Sequence, residues 1–303
     1  MKIHKILNNI SLKISLFLFN QRIPLSYIFF NKFYKFLIVK KKIENEEIYN
    51  FHNKGYGKLK INLNEGLNKF KDSFKISENK KSAPGEKIDK RQYFVVEQNK
   101  RLEFKSFLES SLSSTIHDLS KYYKSNVTIN NVQIFRIKNE NNLEIQNKEV
   151  YSNYFHQDAY LFTYIKIFVN LMDISETEGP LEIVSINNSS KFIKKFKYKD
   201  RNKYKYVEDP IVYKNTGKAG DCFLFSSAQC FHKAGIPNKH RDIMQIILLA
   251  SPNTNEKNLD LESIKDVFEG NDKIASLAKP YSVFSTIKLF IDHLFHSIRY
   301  KYN

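Results

Sequence analysis

The sequence predicts a mainly β protein with flanking helices, in which antiparallel strands form a sandwich or barrel. One observation is a change in hydrophobic period. Helical spacing up to about residue 123 gives way to short segments rich in β-branched and aromatic residues. A second observation is that turn signals separate these segments, at Gly179-Pro180, Asn187-Asn188, Gly217/Gly220 and Gly235/Pro237. Helices followed by closely spaced strands indicate a sandwich or barrel with helices on one side.

Length and composition set the outer limits of the prediction. With 303 residues, 42% of them hydrophobic, the chain can bury a core, which excludes a wholly disordered protein. Lys and Arg number 49 against 32 Asp and Glu, giving a formal net charge of +17 and suggesting anionic partners. Because Lys, Asn, Ile, Phe and Tyr are abundant throughout, we attribute this charge to overall composition and expect no nucleic-acid partner.

The two cysteines, Cys222 and Cys230, are too few for a disulfide framework or a cysteine zinc site. Their number favours a reducing compartment, and the sequence therefore predicts a cytoplasmic protein.

The chain divides into a basic, apolar N-terminal extension (1–43), a central domain (44–255) and a C-terminal helical tail (256–303). The extension begins like a signal peptide, but Asn8, Asn9 and Lys13 interrupt it and no small-residue cleavage site follows. Residues 23–43 mix aromatic residues with lysines, a composition typical of helices on an anionic membrane surface.

In the tail, apolar residues recur every three or four positions, at Phe284, Ile287, Ile291, Leu294 and Ile298. We expect residues 23–43 and this stretch to be helices packed on the central domain. Peripheral membrane contact is the less favoured alternative. No run of 18 uncharged apolar residues exists, so no membrane-spanning helix is expected.

Within the central domain, residues 44–51 predict a helix, and the chain then turns at Gly55 into a short strand ending near residue 61. Residues 76–90 are polar and predict a loop. Residues 100–123 predict one amphipathic helix, with the apolar stripe Phe104, Phe107, Leu108, Leu112, Ile116, Leu119 and Tyr123. Strands are predicted at 127–137, 150–157, 162–172, 181–186, 211–213, 221–231 and 241–249.

A candidate metal site begins with His156 and Asp158 in the sequence YFHQDAY. Alternate residues of a strand point to the same face, so the imidazole and the carboxylate can bind one ion. A solvated strand end is the alternative for this short motif alone. His232, at the end of the predicted strand 221–231, offers a third ligand. Two histidines and a carboxylate form the facial triad of non-haem iron enzymes, which leaves positions open for a 2-oxo acid and O2.

Arg241 follows His232 across a turn, at the start of the next predicted strand. A 2-oxo acid co-substrate with a distal carboxylate needs a cation, and a guanidinium meets a carboxylate with two parallel hydrogen bonds. In a chain whose cations are mostly lysine, an arginine here is informative. The alternative is a surface ion pair with Asp242 or Glu256.

Together these residues resemble the phytanoyl-CoA dioxygenase-like branch of the Fe(II)/2-oxoglutarate oxygenases, from about Phe51 to Leu249. The segments that carry the resemblance are FHNKGY, VQIFRI, YFHQD, IFVNLMDISETEGPLEIV, AGDCFLF and FHKAGIPNKHRDIMQIIL. It implies a double-stranded β-helix, the jelly-roll core of cupin-like proteins, with iron at one mouth. It also implies that His156, Asp158 and His232 are the iron ligands and catalytic centre, and that Arg241 binds 2-oxoglutarate.

The resemblance further implies Fe(II), 2-oxoglutarate as co-substrate and O2, and an oxidation whose default outcome is hydroxylation of a small-molecule or acyl substrate. Gln133 and Arg136 lie on the strand before the iron motif, where relatives bind 2-oxoglutarate or substrate. A polar strand face is the alternative for both. Asn170 is polar within an apolar strand, so either a pocket position or chance explains it.

The most basic run, residues 191–206, contains eight Lys or Arg and one acid, Asp200. It is interpreted as a mobile lid that attracts an anionic substrate, as a nucleic-acid-binding segment, or as a solvated loop. Two alternatives to an enzyme remain open. One is a non-catalytic jelly-roll binding protein with a vestigial metal site, and the other is a basic peripheral membrane or nucleic-acid protein.

Overall fold

The computed structural model describes residues 2–19, 43–76, 91–139, 153–158, 162–196 and 212–251, with isolated positions between 25 and 39 and between 287 and 295. Most of the predicted loop 76–90, the second part of the basic run and most of the C-terminal tail therefore lie outside the described residues.

The described helices are α1 (Lys2–Phe19), α2 (Glu46–Lys54), α3 (Asn64–Asn68), α4 (Arg101–Ser111), α5 (Ser113–Tyr123) and α6 (Ile186–Phe196). The strands are β1 (Tyr56–Asn62), β2 (Phe74–Ile76), β3 (Gln92–Val96), β4 (Asn126–Lys138), β5 (Tyr164–Asn170), β6 (Leu181–Val184), β7 (Val212–Lys214), β8 (Asp221–Phe225), β9 (His232–Ala234) and β10 (His240–Ser251).

The described strands form two antiparallel sheets that face each other. The large sheet has the order β1-β8-β5-β10-β4-β3-β2, and the small sheet has the order β7-β6-β9. Leu181 and Ile183 of the small sheet pack against Phe223 and Phe225 of the large one, so an apolar cluster joins the two sheets. This is the double-stranded β-helix with flanking helices that the sequence predicts.

Strand β10 lies at the centre of the large sheet, paired with β4 on one side and β5 on the other. Successive residues of β10 point to opposite faces of the sheet, so its side chains enter two different cores. Met244, Ile246 and Leu248 face the helices, where they join a cluster that includes Phe104 and Leu119. The intervening residues of β10 face the interior of the barrel. A single strand thus separates a helix-covered core from the interior in which a site can form.

The predicted helix 100–123 is wrong in one respect, because the chain forms two helices, α4 and α5. Leu112 stands between them with φ −96° and ψ 4°, outside helical geometry. Serines flank this residue on both sides, and serine hydroxyls compete with the helical backbone for hydrogen bonds. Leu112 is nevertheless fully buried, so the predicted apolar stripe continues across the break.

The predicted strand 221–231 is also too long. Strand β8 ends at Phe225, a turn follows in which Cys230 N–H donates to the Ser226 carbonyl at 2.9 Å, and β9 begins at His232 in the other sheet. Gly55 makes this crossing possible: its φ is 83°, and an added Cβ would lie 2.3 Å from the Cys230 Sγ. In the predicted strand 150–157, the described residues contain an isolated bridge at His156.

The turn between β5 and β6 holds the connection between β9 and β10 in place. Ser175 and Glu178 cap a short 3₁₀ turn reciprocally, and Gly179 follows with φ 61°. A Cβ on Gly179 would lie 2.4 Å from the Ile236 backbone, so the two turns touch through main-chain atoms. Asn238 N–H also donates to the Thr177 carbonyl at 2.8 Å. This contact fixes the start of β10.

Candidate metal centre

His156 and His232 are brought together by backbone pairing. Each residue donates its N–H to the carbonyl of the other, and both bonds measure 2.9 Å. Ile183 of β6 lies opposite His232 on the other side. The imidazole rings have centroids 4.4 Å apart and are both buried. The edge of the small sheet therefore presents two imidazoles side by side.

The backbone also fixes which ring nitrogen of each histidine is available. Nδ1 of His156 lies 2.8 Å from the Tyr154 carbonyl, and Nδ1 of His232 lies 3.0 Å from the Cys230 carbonyl. A carbonyl oxygen only accepts, so each Nδ1 carries the proton and donates it. Each Nε2 is then left with its lone pair, as a metal ligand requires.

Asp158 completes a cluster of three metal-ligating groups. Its N–H donates to the Ser227 carbonyl at 3.0 Å, which ties the segment to the turn before β9. Its Oδ1 lies 3.5 Å from Nε2 of His156. The ligand atoms of His156, Asp158 and His232 all lie within 4.8 Å of one another. Within the described ranges, these three residues are the group whose spacing suits one metal ion.

Lys166 of β5 neutralises the carboxylate of this cluster. Its Nζ lies 2.6 Å from Oδ2 of Asp158 and 5.9 Å from the centre of the Phe225 ring. The sequence interpretation missed this residue. The sequence did contain a signal: Lys166 is the one charged residue of the strand, and its position places it on the same face as Tyr164, Phe168 and Asn170.

Burial and neighbouring charges set the protonation of the cluster. Burial alone raises the pKa of the Asp158 carboxyl, but the charge of Lys166 outweighs burial and holds that pKa well below its usual value. Burial, and then the neighbouring His156, lower the pKa of His232 to about 3. An ionised carboxylate and a neutral imidazole are the forms that bind a metal.

Arg241 lies on the inner face of β10, where it shares strand parity with Ile243 and Gln245. Its side chain is 3% exposed, and its Nε and Nη1 have no hydrogen-bond partner among the described residues. Burial, and then repulsion from Arg91, lower the pKa of this guanidinium to about 10. The alternative of a surface ion pair does not hold for Asp242, which binds Arg136 instead, and Glu256 lies outside the described residues.

Gln133 and Arg136, predicted together as binding residues, lie on opposite faces of β4. Gln133 is opposite Gln245 in the inner register of the sheet. Arg136 faces outward and donates from Nε and Nη2 to the two carboxylate oxygens of Asp242, both at 2.7 Å. It lines a cleft of about 250 Å³ that also includes Leu67. The structure therefore does not bring Arg136 together with the histidine–aspartate cluster.

Further polar groups face the barrel interior. Asn170 is buried opposite Ile243, and neither polar atom of its side-chain amide has a partner among the described residues. Asn131, opposite Ile247, likewise has an amide oxygen without a partner there. Buried polar atoms are usually satisfied, so these amides together with Arg241 indicate an interior suited to a polar ligand.

The donor set tests whether a metal fits. Two neutral imidazoles with free Nε2 atoms and one carboxylate provide an N2O set on one side of an ion. That set suits a first-row divalent metal and leaves other coordination positions open. The backbone and Lys166 supply the outer contacts that orient such ligands. The cluster therefore can hold a metal of this class.

Comparisons with known proteins show similarity in the path of the backbone only. No protein-family model matches the chain, and no curated protein is significantly similar to it. Solved structures with a similar path include the non-heme alpha-ketoglutarate-dependent epimerase SnoN from nogalamycin biosynthesis, at 14% identity over 71% of this chain and 91% of that one, with a TM-score of 0.42.

Two others are HygX from Streptomyces hygroscopicus with nickel and 2-oxoglutarate (12% identity, 72% and 92% coverage, TM-score 0.43) and EctD from S. alaskensis with 2-oxoglutarate and 5-hydroxyectoine (12%, 72% and 82%, 0.42). Similarity at this level carries no information on chemistry, which depends on the side chains described above.

Proposed function

We propose that this chain is a non-haem iron dioxygenase that uses 2-oxoglutarate as co-substrate. One observation carries the proposal: a single barrel combines an N2O metal-ligand cluster with a buried guanidinium whose Nε and Nη1 have no acceptor in the described part of the chain. The first feature suits Fe(II) and the second suits a carboxylate, and 2-oxoglutarate joins these two requirements in one molecule.

In this proposal, His156, Asp158 and His232 bind the metal through two Nε2 atoms and one carboxylate oxygen. The carbonyls of Tyr154 and Cys230 hold the imidazoles in the correct tautomer. Lys166 holds the second oxygen of Asp158, so the first oxygen remains directed toward the histidines. When bound, Fe(II) with 2-oxoglutarate and O2 supplies the oxidising power, and the co-substrate leaves as succinate and CO2.

Arg241 binds the distal carboxylate of 2-oxoglutarate through its planar fork of donors. Gln133 and Asn170, on the inner faces of the two strands that flank β10, provide amide groups for the co-substrate or the substrate. Phe168 and Phe225 line the same interior and exclude water from it. The substrate is a small molecule or an acyl compound, as in the phytanoyl-CoA dioxygenase-like family, and the default outcome is hydroxylation. A cytoplasmic location would keep the buried thiols of Cys222 and Cys230 free.

The first test is calorimetric titration under anaerobic conditions with Mn(II) in place of Fe(II). We expect one metal per chain, 2-oxoglutarate binding that requires the metal, and loss of both after His232→Ala. The matched control is His240→Ala, a half-buried histidine outside the cluster, which should bind both normally. A vestigial site would bind neither ligand, or only the metal, and that result would overturn the proposal.

The second test identifies the substrate class with a metabolite screen coupled to succinate release. Turnover must require Fe(II), 2-oxoglutarate and O2 together, and Asp158→Ala must abolish it. Metal and 2-oxoglutarate binding without succinate release for any compound would favour a binding protein over an enzyme.

The start of the basic run supports a substrate-attracting role for that segment. Residues 191–196 are helical, which contradicts the solvated-loop interpretation for this part of the run. Ser189 anchors α6, because its hydroxyl donates to the Val184 carbonyl and accepts the Phe231 N–H. Phe192 packs near Phe155 and Phe231, the residues that precede the two ligand histidines. If residues 191–206 attract an anionic substrate, its KM should rise with salt as the screening length falls from about 10 Å at 0.1 M to about 3 Å at 1 M.

A further inference from the structure

Helix α1 exposes its apolar side chains instead of burying them. Ile6, Ile10 and Ile14 are between 38% and 56% exposed, and Phe17 is 84% exposed. The spacings of four and three residues place these four side chains on one face of the helix, and we call them the α1 stripe.

The opposite face of α1 is the buried one, although it is polar. Ser11 is 4% exposed and Ser15 is fully buried, with its hydroxyl donating to the Ser11 carbonyl at 2.8 Å. A helix of a globular protein normally turns its apolar side inward. Here the small serines allow close packing on the protein side, and the α1 stripe is left facing solvent.

Charge around α1 has one sign. Residues 1–43 contain nine Lys or Arg and no Asp or Glu: Lys2, Lys5, Lys13, Arg22, Lys32, Lys35, Lys40, Lys41 and Lys42. The exposed Lys13 lies directly beside the α1 stripe, since it precedes Ile14 and follows Ile10 by three positions. An exposed apolar stripe with lysine at its border is the pattern of a helix that lies in a lipid interface.

The C-terminal tail repeats the pattern. Ile287, Ile291 and Phe295 are 42% to 57% exposed at spacings of four, while Leu294 packs against the helix-covered core. We expected this stretch to pack on the central domain with its apolar residues inward, and among the described positions that holds for Leu294. Two terminal segments thus present apolar rows outward.

We propose that α1 binds the surface of an anionic lipid bilayer, with the α1 stripe inserted at the level of the headgroups and Lys13 at the phosphates. No helix within the described ranges is long and apolar enough to span a bilayer. Because the α1 stripe occupies one face of the helix, α1 would lie in the plane of the interface. A second copy of the chain is a poor occupant, because it would bring two acid-free basic segments together. Nucleic acid is also a poor occupant, since phosphates offer nothing to Ile10 or Phe17.

The test uses a single fluorescent reporter, which is possible because the 303-residue chain contains no tryptophan. Phe17→Trp places the reporter on the α1 stripe, and Leu102→Trp places it at another exposed apolar position, on α4, as the matched control. The vesicles contain about 70% phosphatidylcholine and about 30% phosphatidylserine. With them we expect a blue shift of the tryptophan emission, and quenching by brominated lipid, for Phe17→Trp alone. Phosphatidylcholine vesicles should give a much smaller response.

Sedimentation with the same vesicles measures affinity in the unlabelled chain. Replacing Ile10, Ile14 and Phe17 together by Asn should weaken binding at least about tenfold, and Lys13→Glu should weaken it less. The control Ile76→Asn, at an exposed apolar strand residue, should leave binding unchanged.

Three results would overturn the proposal. One is equal blue shift for both reporters, and another is vesicle binding that the triple substitution does not change. The third is stripe-dependent self-association or DNA binding, measured by analytical ultracentrifugation, without vesicle binding. Metal and 2-oxoglutarate binding should be unaffected throughout, so the outcome is independent of the proposed catalytic function.

Discussion

Two arginines on neighbouring strands of the large sheet differ in what surrounds them. Arg136 of β4 faces the helix side and holds both oxygens of Asp242 at 2.7 Å. Arg241 of β10 faces the barrel interior, is buried, and has two donor atoms without a partner among the described residues. The difference indicates a division of roles within one sheet. Arg136 is part of the protein's own ion pair, whereas two donor atoms of Arg241 are left available to an acceptor from outside the described residues.

An unpaired buried cation costs stability, and proteins retain such groups mainly where function needs them. We expect pairing and burial, rather than residue type, to set the roles of the two arginines.

The largest expected difference is in stability without ligands. Arg241→Met removes a buried charge with unpaired donors, so the free energy of unfolding should rise by about 1 kcal/mol or more. Arg136→Met leaves Asp242 without its partner and should lower it by about 1 kcal/mol. Urea unfolding of the metal-free protein measures both. Two losses of similar size would contradict the contrast.

Acid should destabilise the metal-free protein through His232. Its folded pKa of about 3 lies below the ordinary histidine value of about 6.5, so below pH 6.5 the unfolded chain takes up a proton that the folded protein does not. Stability therefore falls as pH drops from about 6.5 toward 3, by about 2 kcal/mol at pH 5.

Urea unfolding at pH 7.5, 6 and 5 checks this dependence, with His232→Gln as the matched variant. His52, whose pKa is also lowered, mainly by burial, remains in both proteins and cancels from the difference. Asp158 adds nothing in this window, because its ordinary pKa and its lowered folded pKa both lie below pH 5, so it is ionised in the folded and the unfolded chain. A slope that is the same in the variant would contradict the assignment.

The dissociation constant for 2-oxoglutarate should respond to substitution of Arg241, by about tenfold or more, and not to substitution of Arg136. Arg241→Lys loses the bidentate fork, so its dissociation constant for 2-oxoglutarate in the presence of Mn(II) should rise by at least that factor, or about 1.4 kcal/mol. Arg136→Lys should leave the constant unchanged. Titration calorimetry measures both, and equal effects would refute the role of Arg241.

The smallest effect is expected for an exposed ion pair whose N–O distance is similar to that between Arg136 and Asp242. Lys218 Nζ lies 2.7 Å from the Asp173 carboxylate on the surface. Because water and salt screen such pairs, Lys218→Ala should leave the midpoint of thermal unfolding unchanged within error. A loss of stability as large as that expected for Arg136→Met would show that burial does not control how much an ion pair stabilises this protein.

Much of the site was readable from the order of its residues along the chain, although His156 lies in an isolated bridge and Asp158 outside the named strands. The sequence indicated that His156, Asp158 and His232 belong together and that Arg241 opens the next strand, and the structure brings the first three within 4.8 Å. Parity also separates Gln133 from Arg136, which are three residues apart and must face opposite sides of a strand. Which of the two faces inward depended on the helices that cover one side of the sheet.

By itself, the sequence determined the change from helical to strand periodicity, the turns at Gly55 and Gly179, and the alternation of β10, because these depend on neighbouring residues. The tertiary structure decided what depends on distant ones. The chain crosses from one sheet to the other before His232, and this crossing needs the close approach of Gly55 to Cys230. The ion pair between Lys166 and Asp158 joins two separate segments. The break at Leu112 keeps that side chain buried, which preserves packing on both helices. The outward α1 stripe was also beyond prediction, because hydrophobic periodicity gives a helix two faces without saying which one the protein covers.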